Sequence, residues 1–441
     1  MSTATLPISS VNSVGWPSGT VLEHYDPEAE RVSNRIDEAL KQEAARRKEA
    51  KKREVRVLLL GQADSGKSTL HKQFQLYYAS HTLERERPSW RPAVYLNIVR
   101  ATRTIMEGLE NEVALSIGNP PDPDFPITKG IQDEVTRMAS TLRPLIDAES
   151  ILSSELNGGL SGRASSYARS GWQTLISPRR NSSDTLADLT PGARRVVELL
   201  REMRESVETL RRYPLVASLL ARRKMRIEES APYFLNNVNR VCHPDYLPTT
   251  EDILNVRMKT LGVVEYSLSV QQAGRDYTWR MYDVGGARSQ RHAWIPYFDD
   301  TTAILFLAPI SAFDQQLEED PKVNRLEDSL QLFTAICSSR LLEKATLILF
   351  LNKVDLLKQK LQNGRKVRKY IPSYGNRPNT YEEASEYFRA HFCQVQRKKD
   401  KTHRALFVHF TSMLDTKATH LVVADVANAI VRKHIEELGL A

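Results

Sequence analysis

Residues 53–73, REVRVLLLGQADSGKSTLHKQ, decide the fold of this chain. The mostly apolar run at 55–60 predicts a buried strand that stops at Gly61. Residues 61–68 then fit the pattern G-x-x-x-x-G-K-[ST], and the residues after Lys67 predict a helix. A strand, a glycine-bounded loop and a helix in this order are typical of a phosphate-binding loop.

This loop carries the chemical groups that a nucleoside triphosphate requires. The backbone N–H groups of the loop and of the helix N-terminus converge and favour an anion. Lys67 adds a positive charge for the β- and γ-phosphates, and the Ser68 hydroxyl is a ligand for Mg²⁺. A glycine-containing turn with a surface lysine is the alternative, and the flanking strand and helix argue against it. The predicted nucleotide contacts here are Asp64, Ser65, Gly66, Lys67, Ser68 and Thr69.

The composition limits the class of protein. With 441 residues, 41% of them hydrophobic and 26% charged, the chain has the profile of a soluble globular protein of two or three domains. Apolar runs fall short of the ~20 residues that span a bilayer, and the start MSTATLPISS lacks the features of a signal peptide. Three scattered cysteines indicate an intracellular chain without a disulfide framework. The net charge of +8 is typical of a solvated surface and does not indicate a nucleic-acid partner.

The order of helical and strand patterns predicts an α/β fold with an insertion. Residues 1–53 predict a loose arm followed by a charged helix. Residues 54–75 and 251–441 predict a six-stranded, mostly parallel α/β domain, and residues 76–250 an all-helical domain inserted into it. Within the insertion, residues 150–191 are rich in Ser, Gly and Arg and predict a mobile segment.

The individual elements follow from periodicity. After the first strand, strands are predicted at 263–270, 277–283, 303–308, 346–351 and 406–411. Helices are predicted at 27–53, 92–113, 131–146, 193–210, 226–241, 322–336, 381–396 and 421–438. Because ligand loops follow the carboxyl ends of parallel strands, the predicted site lies at that edge of the sheet.

The tetrapeptide Asn-Lys-Val-Asp at 352–355 directly follows a predicted buried strand and indicates guanine. The Asp355 carboxylate can accept hydrogen bonds from the ring N–H and the exocyclic amine of guanine, a donor pair that adenine lacks. Lys353 can lay its stem along the base, and Asn352 can connect this loop to the phosphate loop. Four residues alone are also compatible with a surface turn, so the preceding strand and the phosphate loop carry the preference for GTP over ATP.

Two further segments supply groups for Mg²⁺ and the γ-phosphate. In the sequence DVGG, Asp283 can hold Mg²⁺ directly or through water, and Gly286 lets a backbone N–H approach the γ-phosphate. In the sequence RMKT, Thr260 can give Mg²⁺ a second protein ligand beside Ser68. The guanidinium of Arg257 suits the charge that develops on a transferred phosphoryl group.

Together these segments resemble the alpha subunits of heterotrimeric G proteins over nearly the whole chain. Other stretches that carry the resemblance are DYLPTTEDILNVRMKT at 245–260, RSQRHAW at 288–294, FLNKVDL at 350–356, NTYEEA at 379–384 and TSMLDTK at 411–417. In that family a Ras-like P-loop GTPase domain is interrupted by a helical domain after the phosphate-loop helix. The interval between Ser68 and Arg257 leaves room for that insertion.

The resemblance implies a GTP-binding transducer that couples a seven-helix receptor to an effector and binds a βγ dimer. It implies that Arg257 is a built-in arginine finger. It assigns Mg²⁺ to Ser68, Thr260 and Asp283, and GTP or GDP also to Leu254, Ser412 and Met413, the last two as the loop over guanine. The implied location is the cytoplasm or the cytoplasmic face of the plasma membrane.

The chain departs from the family at the groups that act on the attacking water. After Asp-Val-Gly-Gly the family carries Gln, where this chain has Ala287, and a methyl group cannot orient water. The family's phosphate loop reads G-A-G-E-S-G-K-S, and here Ala63 replaces the middle Gly and Asp64 the Glu. We expect the Cβ of Ala63 to crowd the γ-phosphate region and the shorter Asp64 to weaken the pairing with Arg257. These substitutions predict GTP binding with slow hydrolysis.

The N-terminal segment also departs from the family. The chain begins Met-Ser-Thr and its first cysteine is Cys242, so no N-myristoylation pattern and no N-terminal palmitoylation site is predicted. The basic stretch at 41–56 is expected to attach peripherally to an anionic membrane surface, at about 1 kcal/mol per basic residue. A solvated charged helix is the alternative.

Two classes of function remain open on the sequence. The first is a signalling GTPase with slow turnover. The second is a nucleotide-loaded module or decoy that occupies effectors or βγ without cycling. The hydrolysis rate and βγ binding separate the two, and the guanine motif disfavours a P-loop kinase or ATPase.

Overall fold

The computed structural model describes residues 27–117, 126–156, 167–168, 189–222, 225–272 and 274–437. The chain divides into two compact units, Met1–Lys52 and Arg53–Ala441. The described part of the first unit is helix α1 (Pro27–Lys52), close to the predicted 27–53. Its apolar side chains Val32, Ile36 and Leu40 follow one helical face and are exposed.

A six-stranded sheet forms the centre of the second unit. The strands of the chain are β1 (Glu54–Gly61), β2 (Tyr167–Ala168), β3 (Lys259–Thr260), β4 (Val263–Gln272), β5 (Arg275–Val284), β6 (Ala303–Pro309), β7 (Thr346–Asn352) and β8 (Leu406–Thr411). The sheet order is β4-β5-β1-β6-β7-β8, and only the β4–β5 pair is antiparallel. The predicted six-stranded, mostly parallel sheet is therefore confirmed, and β2 and β3 form a separate short pair.

Helices make up most of the remaining described chain. The α-helices are α2 (Lys67–Tyr78), α3 (Ser80–Glu86), α4 (Arg91–Ser116), α5 (Lys129–Asp147), α6 (Glu149–Leu156), α7 (Pro191–Glu202), α8 (Arg204–Arg212), α9 (Pro214–Ala221), α10 (Ala231–Asn236), α11 (Val238–Val241), α12 (Thr250–Asn255), α13 (Arg325–Ser338), α14 (Val354–Gln362), α15 (Tyr381–Lys399) and α16 (Thr416–Glu437). The 3₁₀ helices are Arg87–Trp90, Arg288–Tyr297, Ile310–Asp314, Arg340–Leu342, Val367–Lys369 and Pro372–Tyr374. None of the described helices is long and apolar enough to cross a membrane.

The apolar run of β1 packs on both faces of the sheet because successive strand residues point to opposite sides. Val55, Val57 and Leu59 are fully buried in the core that includes α2 and α16. Leu58 and Leu60 are fully buried in the core that includes α13 and α15. Cover on both faces explains why this strand is a continuous apolar run.

A third apolar core lies among the helices between α3 and α12. Its centre is α4, whose Ile98, Ile105 and Leu109 are buried against the neighbouring helices. The helix predicted at 193–210 is instead α7 and α8, because Met203 between them leaves helical geometry (φ −97°, ψ 11°). The helix predicted at 226–241 is two short helices, and α10 begins next to Pro232 because proline fits the first turn of a helix.

The prediction that residues 150–191 form a mobile segment is wrong for the first residues of that range. Residues 150–156 belong to helix α6, whose Leu152 and Leu156 are fully buried in the helical core. Residues 157–166 and 169–188 lie outside the described residues, as do the N-terminal arm at 1–26 and most of the loop at 119–126. Short helices such as α3, α9, α12 and α14 were not predicted, because they hold too few turns to establish a period.

Candidate nucleotide-binding site

The phosphate loop lies at the carboxyl end of β1, the strand between β5 and β6. Parallel pairing aligns Leu59 of β1 with Asp283 of β5, so the DVGG segment ends beside the loop. Gly66 is left-handed at φ 105° and precedes the first residue of α2. A Cβ there would collide with the amide of Asn352, so this position requires glycine.

Lys67 is folded into the loop that it follows. Its Nζ donates to the carbonyl oxygens of Gly61 at 3.0 Å and Gln62 at 2.7 Å. Burial lowers the pKa of Lys67 to about 8, although the nearby carboxylate of Asp283 opposes that shift. The centre of the loop therefore holds a buried amine. Its hydrogen bonds to backbone carbonyls can be exchanged for hydrogen bonds to a phosphate.

The three residues predicted to hold Mg²⁺ meet in one cluster. Ser68 Oγ donates to Asp283 Oδ2 at 2.6 Å and lies 3.2 Å from Thr260 Oγ1. Thr260 Oγ1 also donates to Asp283 Oδ2 at 3.2 Å. Asp283 Oδ1 is buried and has no hydrogen-bond partner in the described part of the chain, and burial raises the pKa of this carboxyl. An orphaned carboxylate oxygen beside two hydroxyls fits Mg²⁺, which prefers oxygen ligands.

The guanine motif is joined directly to the phosphate loop. Asn352 Nδ2 donates to the Ser65 carbonyl at 2.8 Å, and its Oδ1 accepts from Thr411 Oγ1 at 3.2 Å. Asn352 and Thr411 are register partners at the ends of β7 and β8. The segments with Asp355 and Ser412 therefore start at neighbouring positions, and Asp355 is exposed in the first turn of α14.

The other predicted nucleotide contacts have different surroundings. Thr69 is half-buried in the first turn of α2. Leu254 is buried in α12, and Met413 is buried in the core under the sheet. The carbonyl of Met413 accepts from Gln73 Nε2 at 2.7 Å, which ties the loop after β8 to α2. The side chains of Leu254 and Met413 thus support the site from within the protein.

Arg257 is held by acidic side chains and by a fixed backbone. Its guanidinium forms ion pairs with Asp64 and, at 3.8 Å, with Glu229. Burial disfavours a charged Asp64, but Arg257 and Lys353 outweigh it and hold the pKa of Asp64 below its usual range. Asn97 clamps Arg257 by accepting from its N–H at 2.9 Å and donating to its carbonyl at 3.1 Å. The ion pair between Asp64 and Arg257 forms despite the shorter side chain, and the expectation that it is weaker than with the family's Glu stays a prediction.

Glu229 is a site residue that the sequence did not reveal. It pairs with Lys353 Nζ at 2.5 Å as well as with Arg257, so one carboxylate joins the guanine motif to the arginine. The charge of Lys353 also helps to lower the pKa of Glu229 against the effect of burial. Glu229 precedes α10 in the stretch RIEES, which matches no motif.

Gln62 connects the phosphate loop to α13, and the sequence did not reveal this contact either. Its Nε2 donates to Asp328, whose carboxylate is almost fully buried. Asp328 also accepts from Arg288 Nε at 2.9 Å and Arg291 Nη2 at 2.6 Å. Gln62 stands where the family's loop pattern has Ala, so comparison of all eight loop positions could have found it.

Ala63 and Gly286 lie against each other at the opening of the site. A Cβ at Gly286 would collide with the backbone of Gln62 and Ala63, so this glycine permits the close approach. Arg325 Nη2 donates to the Ala63 carbonyl at 2.6 Å. These residues border a cleft of about 930 Å³ that also reaches Asp64, Arg257 and Glu229, whereas Lys67, Asp283 and Asn352 do not line it.

Comparison with known proteins identifies the family of this chain. The family model for the G-protein alpha subunit matches residues 30–430. The chain belongs to the G-protein alpha subunit family. The guanine nucleotide-binding protein subunit alpha-13 of Mus musculus is 30% identical, and the match covers 99% of both chains. The alpha-4 subunit of Mycosarcoma maydis is also 30% identical, with 88% of this chain and 84% of the relative covered.

Family membership and the observed architecture agree. The six-stranded, mostly parallel sheet with its phosphate loop is a Ras-like P-loop GTPase domain, and the helices around α4 are the helical domain. Members of this family bind guanine nucleotides, act in G-protein signalling and are in general GTPases. The resemblance that the motifs indicated is thus confirmed.

Proposed function

We propose that this alpha subunit binds GTP in signal transduction and hydrolyses it slowly. The observation that carries the proposal is a contrast within one site. Ser68, Thr260 and Asp283 form a hydrogen-bonded cluster whose oxygen atoms fit Mg²⁺, whereas Ala287 stands where the family has Gln. Because a methyl group cannot hydrogen-bond to the attacking water, the chemical step slows. The groups that bind the nucleotide are retained, so binding persists.

In this proposal the residues divide between three parts of the nucleotide. The phosphates contact Asp64, Ser65, Gly66, Lys67, Ser68, Thr69 and Gly286. Guanine contacts Asn352, Lys353, Asp355, Ser412 and Met413, with Leu254 behind the nucleotide. Arg257 acts as the arginine finger once it leaves Asp64 and Glu229 for the γ-phosphate. The support for this division is that these residues lie in loops at the carboxyl edge of the sheet or in segments packed against it.

Mg²⁺ is the cofactor that fits the cluster of Ser68, Thr260 and Asp283. Bound there, it would neutralise negative charge on the phosphates of the nucleotide. Two hydroxyls and one carboxylate make a site of oxygen donors, and the free Asp283 Oδ1 is available to a ligand. These residues would hold the cation where α2, β3 and β5 meet.

We further propose the partners and location that the family implies. The chain binds a βγ dimer, a seven-helix receptor and an effector, and it associates peripherally with the cytoplasmic face of the plasma membrane or remains in the cytoplasm. The exposed face of α1 with Val32, Ile36 and Leu40 supports a partner there. Domain boundaries at 1–53, 54–75 with 251–441, and 76–250 belong to this proposal.

Three measurements on purified protein test the proposed function. Protein purified without added nucleotide is expected to carry GTP, and single-turnover hydrolysis is expected to be at least about tenfold slower than in an alpha subunit with the family's Gln. Bound GDP together with a rate normal for the family would contradict slow hydrolysis. Competition between GTP and ATP should favour GTP, and a preference for ATP would contradict the guanine assignment.

A non-cycling binding module is the second candidate, because Ala63 and Ala287 both alter the hydrolytic side of the site. In that case the chain occupies βγ or an effector without turning over. Pull-down of βγ and of effectors with GTP-loaded protein, combined with the absence of hydrolysis above that of GTP in buffer, would favour this module over a slow GTPase.

A further inference from the structure

The segment that leads from α14 into α15 is rich in basic residues. Residues 356–381 contain seven Lys and Arg residues and no Asp or Glu. Three of these basic side chains are exposed and make no ion pair with any described residue: Lys366, Arg368 and Lys369. We call these three residues the basic turn. Because their charges lie close together along the chain and are not neutralised, the basic turn attracts an anionic partner.

The backbone of the basic turn is fixed by contacts within the protein. Val367 at its centre is fully buried, and its N–H donates to Asn379 Oδ1 at 2.9 Å. The Nδ2 of Asn379 donates to the Arg365 carbonyl at 2.8 Å, and Val367–Lys369 form a 3₁₀ helix. A backbone that is already ordered lowers the entropic cost of binding, so the basic turn is preorganised for a partner.

The basic turn leads directly into a pocket of about 240 Å³. Tyr370, Ile371 and Ser373 line this pocket together with Leu330 on α13 and His391 on α15. Ser373 is exposed and Ile371 is half-buried, so the pocket is reached from the surface. Sites for small ligands usually measure about 300–1,000 Å³, so this smaller pocket suits a single side chain. Most of the lining residues are aromatic or aliphatic, and the side chain that fits is therefore apolar.

Glu327 divides the charges of this surface into two parts. It is exposed and lines the pocket, whereas the basic turn does not line it. A carboxylate at the pocket repels a second carboxylate, so acidic groups of an occupant are favoured at the basic turn and disfavoured in the pocket. The surface thus selects an occupant that is apolar at one position and acidic beside it.

We propose that the basic turn and the adjoining pocket bind an acidic peptide segment of a partner protein. One apolar side chain of the segment fills the pocket, and neighbouring carboxylates pair with Lys366, Arg368 and Lys369. The pocket favours a peptide over an anionic membrane surface, because a layer of lipid headgroups has no single apolar side chain to place there. This inference goes beyond the proposed function and does not depend on nucleotide binding or hydrolysis.

A fluorescein-labelled peptide with four glutamates on each side of one phenylalanine tests the pocket. Its affinity for the full chain is measured by fluorescence anisotropy. Replacement of the phenylalanine by glycine should weaken binding at least about tenfold, because the burial of an aromatic side chain is lost. Ser373→Trp, which places an indole at an exposed lining position, should weaken binding of the phenylalanine peptide by a similar factor.

The two peptides decide the role of the pocket even if Ser373→Trp does not fold. Equal affinities of the phenylalanine and glycine peptides for the wild-type chain would overturn the inference. The absence of measurable binding of the phenylalanine peptide would overturn it as well.

Three substitutions made together remove the charge of the basic turn: Lys366→Gln, Arg368→Gln and Lys369→Gln. Affinity for the phenylalanine peptide should fall about tenfold, because three exposed ion pairs are lost. The matched control removes the same charge from the exposed end of α15: Arg397→Gln, Lys398→Gln and Lys399→Gln. The control should keep the affinity within about twofold. An equal loss in both variants would overturn the inference, because attraction by the net charge would then be sufficient.

Vesicles of phosphatidylserine and phosphatidylcholine distinguish a membrane surface from a peptide as the occupant. Loss of vesicle binding in the variant without the basic turn, together with unchanged peptide affinity, would overturn the peptide assignment. The same variant should bind a fluorescent GTP analogue as the wild-type chain does. Failure of the wild-type chain to bind that analogue would instead overturn the proposed function and leave the peptide measurements as they are.

Discussion

The phosphate loop has a side that faces the proposed metal cluster and a side that faces the attacking water, and the two differ in how many of the family's groups they keep. On the proposed metal side, Ser68 and Thr260 hydrogen-bond to the Asp283 carboxylate, which brings together oxygen donors of the kind that Mg²⁺ prefers. On the water side, Ala63 and Ala287 present methyl groups where the family has Gly and Gln. Binding depends on converging backbone dipoles and oxygen ligands, whereas hydrolysis depends on one oriented water. One fold can therefore lose the second capacity and retain the first.

Different elements support the two sides. The metal side is carried by α2 and the strands β3 and β5, with buried His71 stacked on Tyr266 at 3.5 Å between ring centres. The water side is attached to α13, where Asp328 binds Gln62 and Arg325 binds Ala63. Substitutions on each side can therefore be expected to act separately.

Removal of a metal ligand should have the largest effect. Ser68→Ala deletes one hydroxyl of the cluster, and the Mg²⁺ concentration needed for half-maximal binding of a fluorescent GTP analogue should rise about a hundredfold. Ser267→Ala, at an exposed position on β4, is the control. An unchanged Mg²⁺ requirement in Ser68→Ala would contradict the assignment of Ser68 as a Mg²⁺ ligand.

Restoration of the water side should have the next largest effect. Ala287→Gln is expected to speed single-turnover GTP hydrolysis about tenfold, because the carboxamide again orients water. Recovery should remain partial while Ala63 is present, and the added change Ala63→Gly should raise the rate further. Full recovery from Ala287→Gln alone would show that Ala63 is harmless.

Acid should weaken the support of the metal side through His71. Burial, reinforced by the neighbouring charge of Lys72, lowers the pKa of His71 to about 3. The unfolded chain, with an ordinary pKa near 6.5, binds the proton more strongly, so the free energy of unfolding falls as pH drops from about 6.5 towards 3. Between pH 7.5 and 5.5 this one group should cost about 1.4 kcal/mol. Urea denaturation at both pH values measures it, and His71→Leu should lack this part of the loss; an identical pH dependence in that variant would refute the assignment.

Loss of the Gln62 contact should have the smallest effect. Gln62→Ala removes one donor from buried Asp328, which keeps Arg288 and Arg291, so the free energy of unfolding should fall by about 1 kcal/mol. Urea denaturation gives the value, with exposed Gln316→Ala as the control. Equal stabilities of the two variants would mean that the loop is not held through Gln62.

Features that are encoded by residues close together in the chain could be predicted from the sequence. The strand, loop and helix around Lys67 are contiguous, so their order predicts both the structure and its preference for an anion. Side-chain length alone does not decide whether Asp64 reaches Arg257, and in the folded chain the two form an ion pair. The clamp of Asn97 on the backbone of Arg257 places that arginine where the shorter carboxylate reaches it.

The sequence by itself determined the mostly parallel sheet, the phosphate loop, the guanine motif and the family, because each rests on local periodicity or on a short run of backbone-presenting residues. Only the tertiary structure decided how the loop is held. Gln62 meets Asp328 across 266 positions, Asn352 meets Ser65 across 287, and Glu229 meets Lys353 across 124. Contacts at such separations depend on how the strands and helices pack.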